Sequence, residues 1–287
     1  MIKIRIFISF YAHGNDCSKL FMNSDELNSD PEYNVKYCFT NSDDYTHAIL
    51  VNTPMPKLTI PKKNVIGLSF EPVQYLGLTH KFIAYAEQYI GKYLIGNKLD
   101  LQNPFVEEFS YLTHMTPLKE KIQNKPKTMS IMISQKTNAP GHQYRHELVR
   151  LILKSDLPID IYGRGCSSYT SNDERIKGGF ENHKVMLEDY KYHICIENFR
   201  TPHYFSEKIM DSLLSNTIPI YLGCENIEHY FPKQIIHLTG DGAKDFNLLK
   251  HICTTPDEYQ HDLDIDKVKH TISIKRLIEN NFYTDSV

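Results

Sequence analysis

The sequence predicts an α/β protein of two Rossmann-like domains with a cleft between them, and three observations carry that prediction. In the second half, a strand, a loop and a helix recur three times within about 100 residues, the rhythm of right-handed βαβ crossovers in a doubly wound sheet. In the first half, short apolar runs alternate with a helix-like stretch, again the pattern of parallel strands joined by crossovers. Between the halves, PLKEKIQNKPKT (117–128) is dense in lysine and proline and offers little to bury, which marks an interdomain linker. A chain of 287 residues is long enough for two cores. The expected boundaries are 1–120, 121–270 and a C-terminal helix over 271–287.

Taken in order, MIKIRIFISF alternates apolar side chains with Lys3 and Arg5 and reads as a first buried strand. It has neither the continuous apolar core nor the small-residue cleavage site of a signal peptide. After an irregular polar stretch come the strand HAILVN (47–52), a proline-rich turn and the strand NVIGLSF (64–70). THKFIAYAEQYI is helix-like, and KYLIGN follows as a strand. In the second half TMSIMIS is a strand, followed by an amphipathic helix in HQYRHELVRLILKSDL. LPIDIYGRG is a strand ending on two glycines, and YKYHICIEN is another. SEKIMDSLLSN places Ile209, Met210, Leu213 and Leu214 on one side of a helix before the strand TIPIYLG. The closing IDKVKHTISIKRLIENNFY reads as a helix able to pack back across both domains.

Composition excludes several classes. Hydrophobic residues make up 41% and charged residues 23%, the balance of a soluble globular protein. A formal net charge of −3 gives no bulk attraction to nucleic acid or an anionic membrane, so any basic site must be local. No apolar run approaches the ~18–20 residues of a membrane span, and no Asn-x-Ser/Thr sequon occurs, so a cytoplasmic protein is expected. Six cysteines in a chain this long do not make a disulfide framework. Cys166, Cys195, Cys224 and Cys253 are evenly spaced, but their flanks differ and no CxxC pair exists. Reduced structural thiols are expected rather than zinc ligands. The acidic runs Ser42-Asp43-Asp44 and Asp262 to Asp266 read as turn and solvated-face residues.

The chemistry gathers over residues 197–208. Glu197 and Asn198 follow a strand, while Tyr204, Glu207 and Lys208 sit at the start of the next helix. That places them on the rim of the sheet where doubly wound domains bind ligands. A helix N terminus favours an anion through its unpaired N–H groups and its dipole. Lys208 in that first turn is opposed by the dipole, and a neighbouring phosphate would offset the conflict. Glu207 suits the dipole, and can also accept hydrogen bonds from a ribose diol. Arg145, near the start of another helix, can grip a diphosphate bidentately or pair with Glu147 on the surface. Together these groups describe a nucleotide-diphosphate site. His142 and His146 read as structural, and YGRGC (162–166) is neither GxGxxG nor a P-loop.

The segment YKYHICIEN…YFSEKIMDSLLSNTIPIYLG resembles the C-terminal signature of glycosyltransferase family 10, the α-1,3-fucosyltransferases, in their soluble microbial or viral form. Ile196, Phe199 and Ser206 stand where the family has Phe, Ser and Thr. RHELVRLI resembles the family's Arg-bearing helix, and Tyr-Phe-Pro at 230–232 continues the match, which covers most of 126–240. The resemblance implies a GT-B fold, with the acceptor bound by residues 1–120 and the nucleotide sugar by 121–270. It implies inverting transfer of L-fucose from GDP-fucose to a glycan hydroxyl. By position, Arg145 and Lys208 would neutralise the diphosphate, Glu207 would bind the ribose, and Tyr204 and Asn198 would position the nucleotide. No metal or other cofactor is then required, because fixed cations stabilise the charge that develops on the leaving phosphate.

Inversion also needs a general base, which the family takes from a Glu after a strand of the N-terminal domain. Glu71 in NVIGLSFEPVQY occupies that context without the family's intervening Ser, and Glu107 and Glu108 are competing carboxylates. The rest of the N-terminal half matches poorly, which leaves the acceptor and the oligomeric state unread. Phe199-Arg200 departs from the family at the loop facing the nucleotide. Two alternatives stay open: the same fold using another GDP- or UDP-sugar, and a non-catalytic nucleotide-sugar-binding module. The expected partners are a nucleotide sugar and a glycan or glycoconjugate acceptor, with no nucleic acid and no membrane span.

Overall fold

A computed structural model describes residues 1–9, 32–33, 35–112, 124–170 and 172–282. In chain order the strands are β1 (Ile2–Ile8), β2 (Tyr37–Phe39), β3 (His47–Val51), β4 (Val65–Leu68), β5 (Lys92–Ile95), β6 (Phe105–Glu107), β7 (Lys127–Met132), β8 (Ile159–Tyr162), β9 (Ile176–Gly178), β10 (Tyr190–Ile196), β11 (Ile218–Leu222) and β12 (Ile236–His237). The α-helices are α1 (Val73–Leu76), α2 (His80–Tyr89), α3 (Pro140–Leu153), α4 (Glu207–Leu214), α5 (Ile227–Tyr230), α6 (Gly242–Thr254), α7 (Ile265–Thr271) and α8 (Ile274–Phe282). Two compact units result, each built on one parallel sheet.

The first unit comprises Met1–Leu112, Thr201–Tyr204 and His270–Val287. Its strand order is β2-β1-β3-β4-β5-β6, the flavodoxin-like winding with an added edge strand. Side-chain alternation along β3 splits the core in two. Ile49 and Val51 join Ile4, Ile6 and Leu68 on a face covered by Ile274, Leu277 and Ile278 of α8. Ala48 and Leu50 join Val65 and Tyr93 on the other, covered by Phe82 and Ala86 of α2. The Thr79 side chain caps α2 by accepting the Phe82 N–H at 3.1 Å. Gly67 is required in β4: a Cβ there would lie 2.0 Å from the Tyr93 ring.

The second unit comprises Thr113–Arg200 and Phe205–Lys269. Its order is β12-β11-β10-β7-β8-β9; counted from β7 as the first strand, this is the Rossmann order 3-2-1-4-5-6 read from its other edge. The apolar stripe of α4 is buried as its spacing requires, with Ile209, Met210, Leu213 and Leu214 all at or below 2% exposure.

Three expectations change. The closing helix is two helices, α7 and α8, interrupted at 272–273, and α8 belongs to the first unit. Most of the expected linker (117–128) lies outside the described residues, but its end is not linker: Lys125 is buried and β7 begins at Lys127. The Lys125 ammonium accounts for this, because it donates to the Leu187 and Ser215 carbonyls and to Thr217 Oγ1, at 3.0, 2.8 and 2.5 Å. Finally, the short edge strands β2, β6, β9 and β12 and the helix α6 were not anticipated.

Candidate functional site

In the second unit the winding direction reverses between β7 and β10, and the crevice of a doubly wound sheet opens at that point, beyond the carboxyl ends of the strands. Three chain segments meet there: the start of α3 after β7, Glu197-Asn198 after β10, and Ser206–Lys208 at the start of α4. The first two touch through backbone. Gly141 in the first turn of α3 donates its N–H to the Asn198 carbonyl at 3.0 Å. A Cβ at Gly141 would sit 1.8 Å from the Glu197 carbonyl oxygen, so only glycine permits this approach.

Arg145 projects from the next turn of α3, is 3% exposed, and donates from Nη2 to Asn198 Oδ1 at 2.7 Å. Lys208 Nζ donates to Ser206 Oγ at 2.9 Å and to Glu207 Oε1 at 3.0 Å, and lies 3.5 Å from Glu197 Oε2. Glu197 is fully buried and accepts the Ser206 N–H at 2.8 Å and the Ser206 hydroxyl at 2.8 Å. The anion at the start of α4 is thus the chain's own Glu197, and Ser206 relays between that carboxylate and Lys208. Burial alone would lower the Lys208 pKa, but the carboxylates of Glu207 and Glu197 outweigh it and hold the pKa above the usual lysine value.

His142, read from the sequence as a structural histidine, belongs to this cluster. It is 3% exposed, and its Nδ1 donates to Asn138 Oδ1 at 3.1 Å. Burial, then the charges of Arg145, Lys136 and Lys208, push its pKa down to about 4, so the ring is neutral near pH 7. Beneath the cluster, Met132, Met186, Leu187, His193, Glu207, Lys208 and Asp211 line a cavity of about 20 Å³, room for one water. The signal for Glu197 lay in the sequence as the acid that ends β10; its partnership with Lys208 through Ser206 did not. YGRGC serves packing: Cβ atoms at Gly163 and Gly165 would lie 2.1 and 2.6 Å from the carbonyl oxygens of Ile133 and Ser134.

The structure therefore brings Arg145, Asn198, Glu207 and Lys208 together in the second unit. Tyr204 and Glu71 lie in the first. Tyr204 is 4% exposed, and its backbone and Cβ pack against Gly96, where an added Cβ would be 2.8 Å away. Glu71 is half-buried just past the end of β4. Its loop is fixed by Asn52 Oδ1, which accepts the Phe70 N–H at 2.8 Å, and by Ser110, which donates to the Ser69 carbonyl at 2.7 Å. Glu107 and Glu108 are both exposed near the end of edge strand β6. The acids read as turn residues pair with basic ones: Asp43 with Arg5 and Asp44 with Lys3.

A separate concavity of about 700 Å³ lies at the opposite, amino-terminal edge of the second sheet, lined in part by Lys125, Lys191, Asn216, Gln260 and His261. Lys125 spends its three N–H groups on protein acceptors there, and burial pulls its pKa down to about 8. It is a structural post rather than a ligand for an anion. Among the described residues, no helix is long and apolar enough to cross a membrane, and Cys38, Cys166, Cys195, Cys224 and Cys253 form no disulfide.

Comparison with known proteins singles out the same region. Residues 122–261 match the family model described as glycosyltransferase family 10 (fucosyltransferase) C-term. A fucosyltransferase-like protein of Arabidopsis thaliana is 25% identical over 169 residues, 58% of this chain and 30% of that one. A fucosyltransferase-named protein of Acanthamoeba polyphaga mimivirus is 26% identical over 202 residues, 64% of this chain and 33% of that one. The chain thus spans about a third of the length of these curated relatives. An α1,3-fucosyltransferase solved with GDP-fucose shares the fold at a TM-score of 0.57 and 16% identity, covering 100% of this chain and 91% of its own. The two parallel α/β units are of GT-B type, and the family match, which covers just under half of the chain, is centred on the Arg145–Lys208 crevice.

Proposed function

We propose that the protein is an inverting glycosyltransferase that moves L-fucose from GDP-fucose to a glycan hydroxyl, with the donor held at the β7/β10 crevice of the second unit. The observation that carries this reading is the pairing of two cations, the buried Arg145 and the half-buried Lys208, with polar partners at the switch point of the family-matching domain. As the glycosidic bond to the diphosphate breaks, positive charge develops on the sugar ring and negative charge on the phosphate oxygens. Arg145 and Lys208, already held in place by Asn198, Ser206 and Glu197, stabilise that negative charge without reorganising. Glu207, whose side chain is 30% exposed, accepts from the ribose hydroxyls, while Asn198 and Tyr204 position the nucleotide.

Glu71 takes the proton from the attacking acceptor hydroxyl, with Glu107 and Glu108 as the carboxylates to compare. No metal ion is assigned a step, and the setting is cytoplasmic. The departure at Phe199-Arg200 favours testing a second donor class beside the first. A thermal-shift titration without added metal, using GDP-fucose, GDP-mannose, GDP, UDP-glucose, UDP-N-acetylglucosamine and UDP, does this. A ligand at a hundred times its dissociation constant adds ~2.7 kcal/mol of stability. Stabilisation by guanosine compounds alone supports the proposal. Stabilisation by uridine compounds keeps the fold and replaces the donor, and silence from all six points to a chain that does not turn over nucleotide sugars.

A further inference from the structure

We propose that His142 is a donor-site residue that takes up a proton when a nucleoside diphosphate enters the crevice and then donates to it beside Arg145 and Lys208. The inference rests on the donor-site reading above and adds to it a residue and a linkage.

The geometry assigns the ring's two nitrogens different tasks. Asn138 Oδ1 can only accept, so Nδ1 carries a hydrogen and donates to it. In the neutral ring Nε2 is then a lone pair, which cannot donate to a phosphate oxygen; the ring's other polar partner is the Asn198 side chain. With a proton on Nε2 it becomes a donor, and the ring carries charge. The charged groups that act most on the ring are cations from three segments: Arg145 from α3 itself, Lys136 from the loop after β7, and Lys208 from α4, the last paired with Glu207 and Glu197; a hydrogen bond with the Asn198 side chain, after β10, works the other way. Burial adds to their effect, so the empty crevice holds the ring neutral.

A bound diphosphate reverses the field. It brings at least two negative charges to the point where three cations converge, and it offers Nε2 an acceptor. Opposite charge and a hydrogen bond to the charged form both raise a histidine's pKa. The free protein binds the ligand with the ring neutral, and the complex holds an added proton taken from solvent. By linkage, affinity for the diphosphate then strengthens as pH falls from the bound-state pKa of the ring toward its free value of about 4. A histidine buried merely for packing has no such dependence.

The test is calorimetric titration of the full chain with GDP and with UDP between pH 5 and 7.5, in buffers of different ionisation enthalpy, so that the protons taken up per ligand are counted directly. Wild type and His142→Gln are compared, since the phosphate's own ionisation is common to both and cancels. The expected result is greater proton uptake by the wild type, with its affinity relative to the variant rising by up to about tenfold per pH unit on acidification. Equal proton counts in the two proteins, with nucleotide bound, would overturn the assignment of His142 alone. Failure of the wild type to bind either nucleotide would overturn the donor-site reading and this inference with it. If His142→Gln does not fold, His142→Asn takes its place and is judged by the same comparison.

Discussion

At Lys208, burial and charge pull against each other. A lysine whose side chain is 15% exposed keeps its proton only because Glu197 and Glu207 stand 3.5 and 3.0 Å away and Ser206 supplies an acceptor. The arrangement is pre-paired, so a phosphate meets a fixed cation rather than a flexible one. Lys208→Ala and Arg145→Ala are each expected to weaken GDP binding by about 1.5–3 kcal/mol, as for other hydrogen bonds to charged groups; unchanged affinity in both would remove the assigned site. Ser206→Thr keeps the hydroxyl and should behave like wild type. Ser206→Ala leaves the buried Glu197 carboxylate short of a donor and should cost about 1–3 kcal/mol in a urea titration. Glu71→Ala is expected to lower kcat by about 10²–10⁴-fold with GDP affinity intact, while Glu107→Ala and Glu108→Ala leave kcat near the wild-type value. A reversed ranking would move the base to β6.

Between elements, the decisive contact is the approach of α3 to the end of β10. Gly141→Ala places a methyl against the Glu197 carbonyl and must displace the start of α3 or the Asn198 backbone. A loss of about 1–3 kcal/mol, typical of overpacking, is expected together with weakened GDP binding, because Arg145 Nη2 is registered on Asn198. A variant as stable as wild type with normal binding would show that the approach has no role. The elements that build this junction were legible in the sequence because β10 and β11 are buried on both faces and rich in apolar residues, while β7 carries the buried Met129 and Ile131 at alternate positions. Strands of two or three residues such as β9 and β12 leave no such periodicity, and α6, introduced by Asp241, passed unread. Lys208 stood out because a cation in the first turn of a helix conflicts with the dipole, and Arg145 because a guanidinium near the start of a βα unit's helix can grip a diphosphate bidentately. His142 carried no comparable signal, since a lone histidine on a helix has the same local pattern whether it packs or binds. The break before α8 was hidden for another reason: apolar spacing continues through Ile272 and Ile274, and only the tertiary partner of each helix distinguishes them.

For the whole molecule, buried titratable groups set opposite limits on stability. On the acid side, burial and then the nearby Lys125 hold His193 at a pKa of about 3, and His142 lies at about 4, both below the ordinary 6.5. The unfolded chain takes up these protons first, so stability is lost as pH falls below 6.5 and approaches those values. Asp173 contributes in the same direction: its hydrogen bond to Arg175 lowers its pKa to about 2, so its stabilisation fades as pH drops from 3.8 toward 2. On the alkaline side, burial raises Cys253 to about 11 and Tyr192 to about 12, and moves Tyr93, Tyr190 and Tyr221 upward as well. Here the folded state keeps protons that the unfolded chain releases from about pH 9 to 10, so stability is lost as pH rises through that range toward 11–12. The urea midpoint should therefore be highest between pH 6.5 and 9 and fall on both sides. His193 is wholly buried, with Nδ1 2.7 Å from Ser130 Oγ, so His193→Gln should flatten the acid limb and leave the alkaline one unchanged. Phenolate absorbance gives the complementary reading, because the buried tyrosines should ionise only as the chain unfolds. A midpoint that keeps rising toward pH 4, or complete tyrosine ionisation in a folded protein at pH 10, would contradict this balance of buried groups.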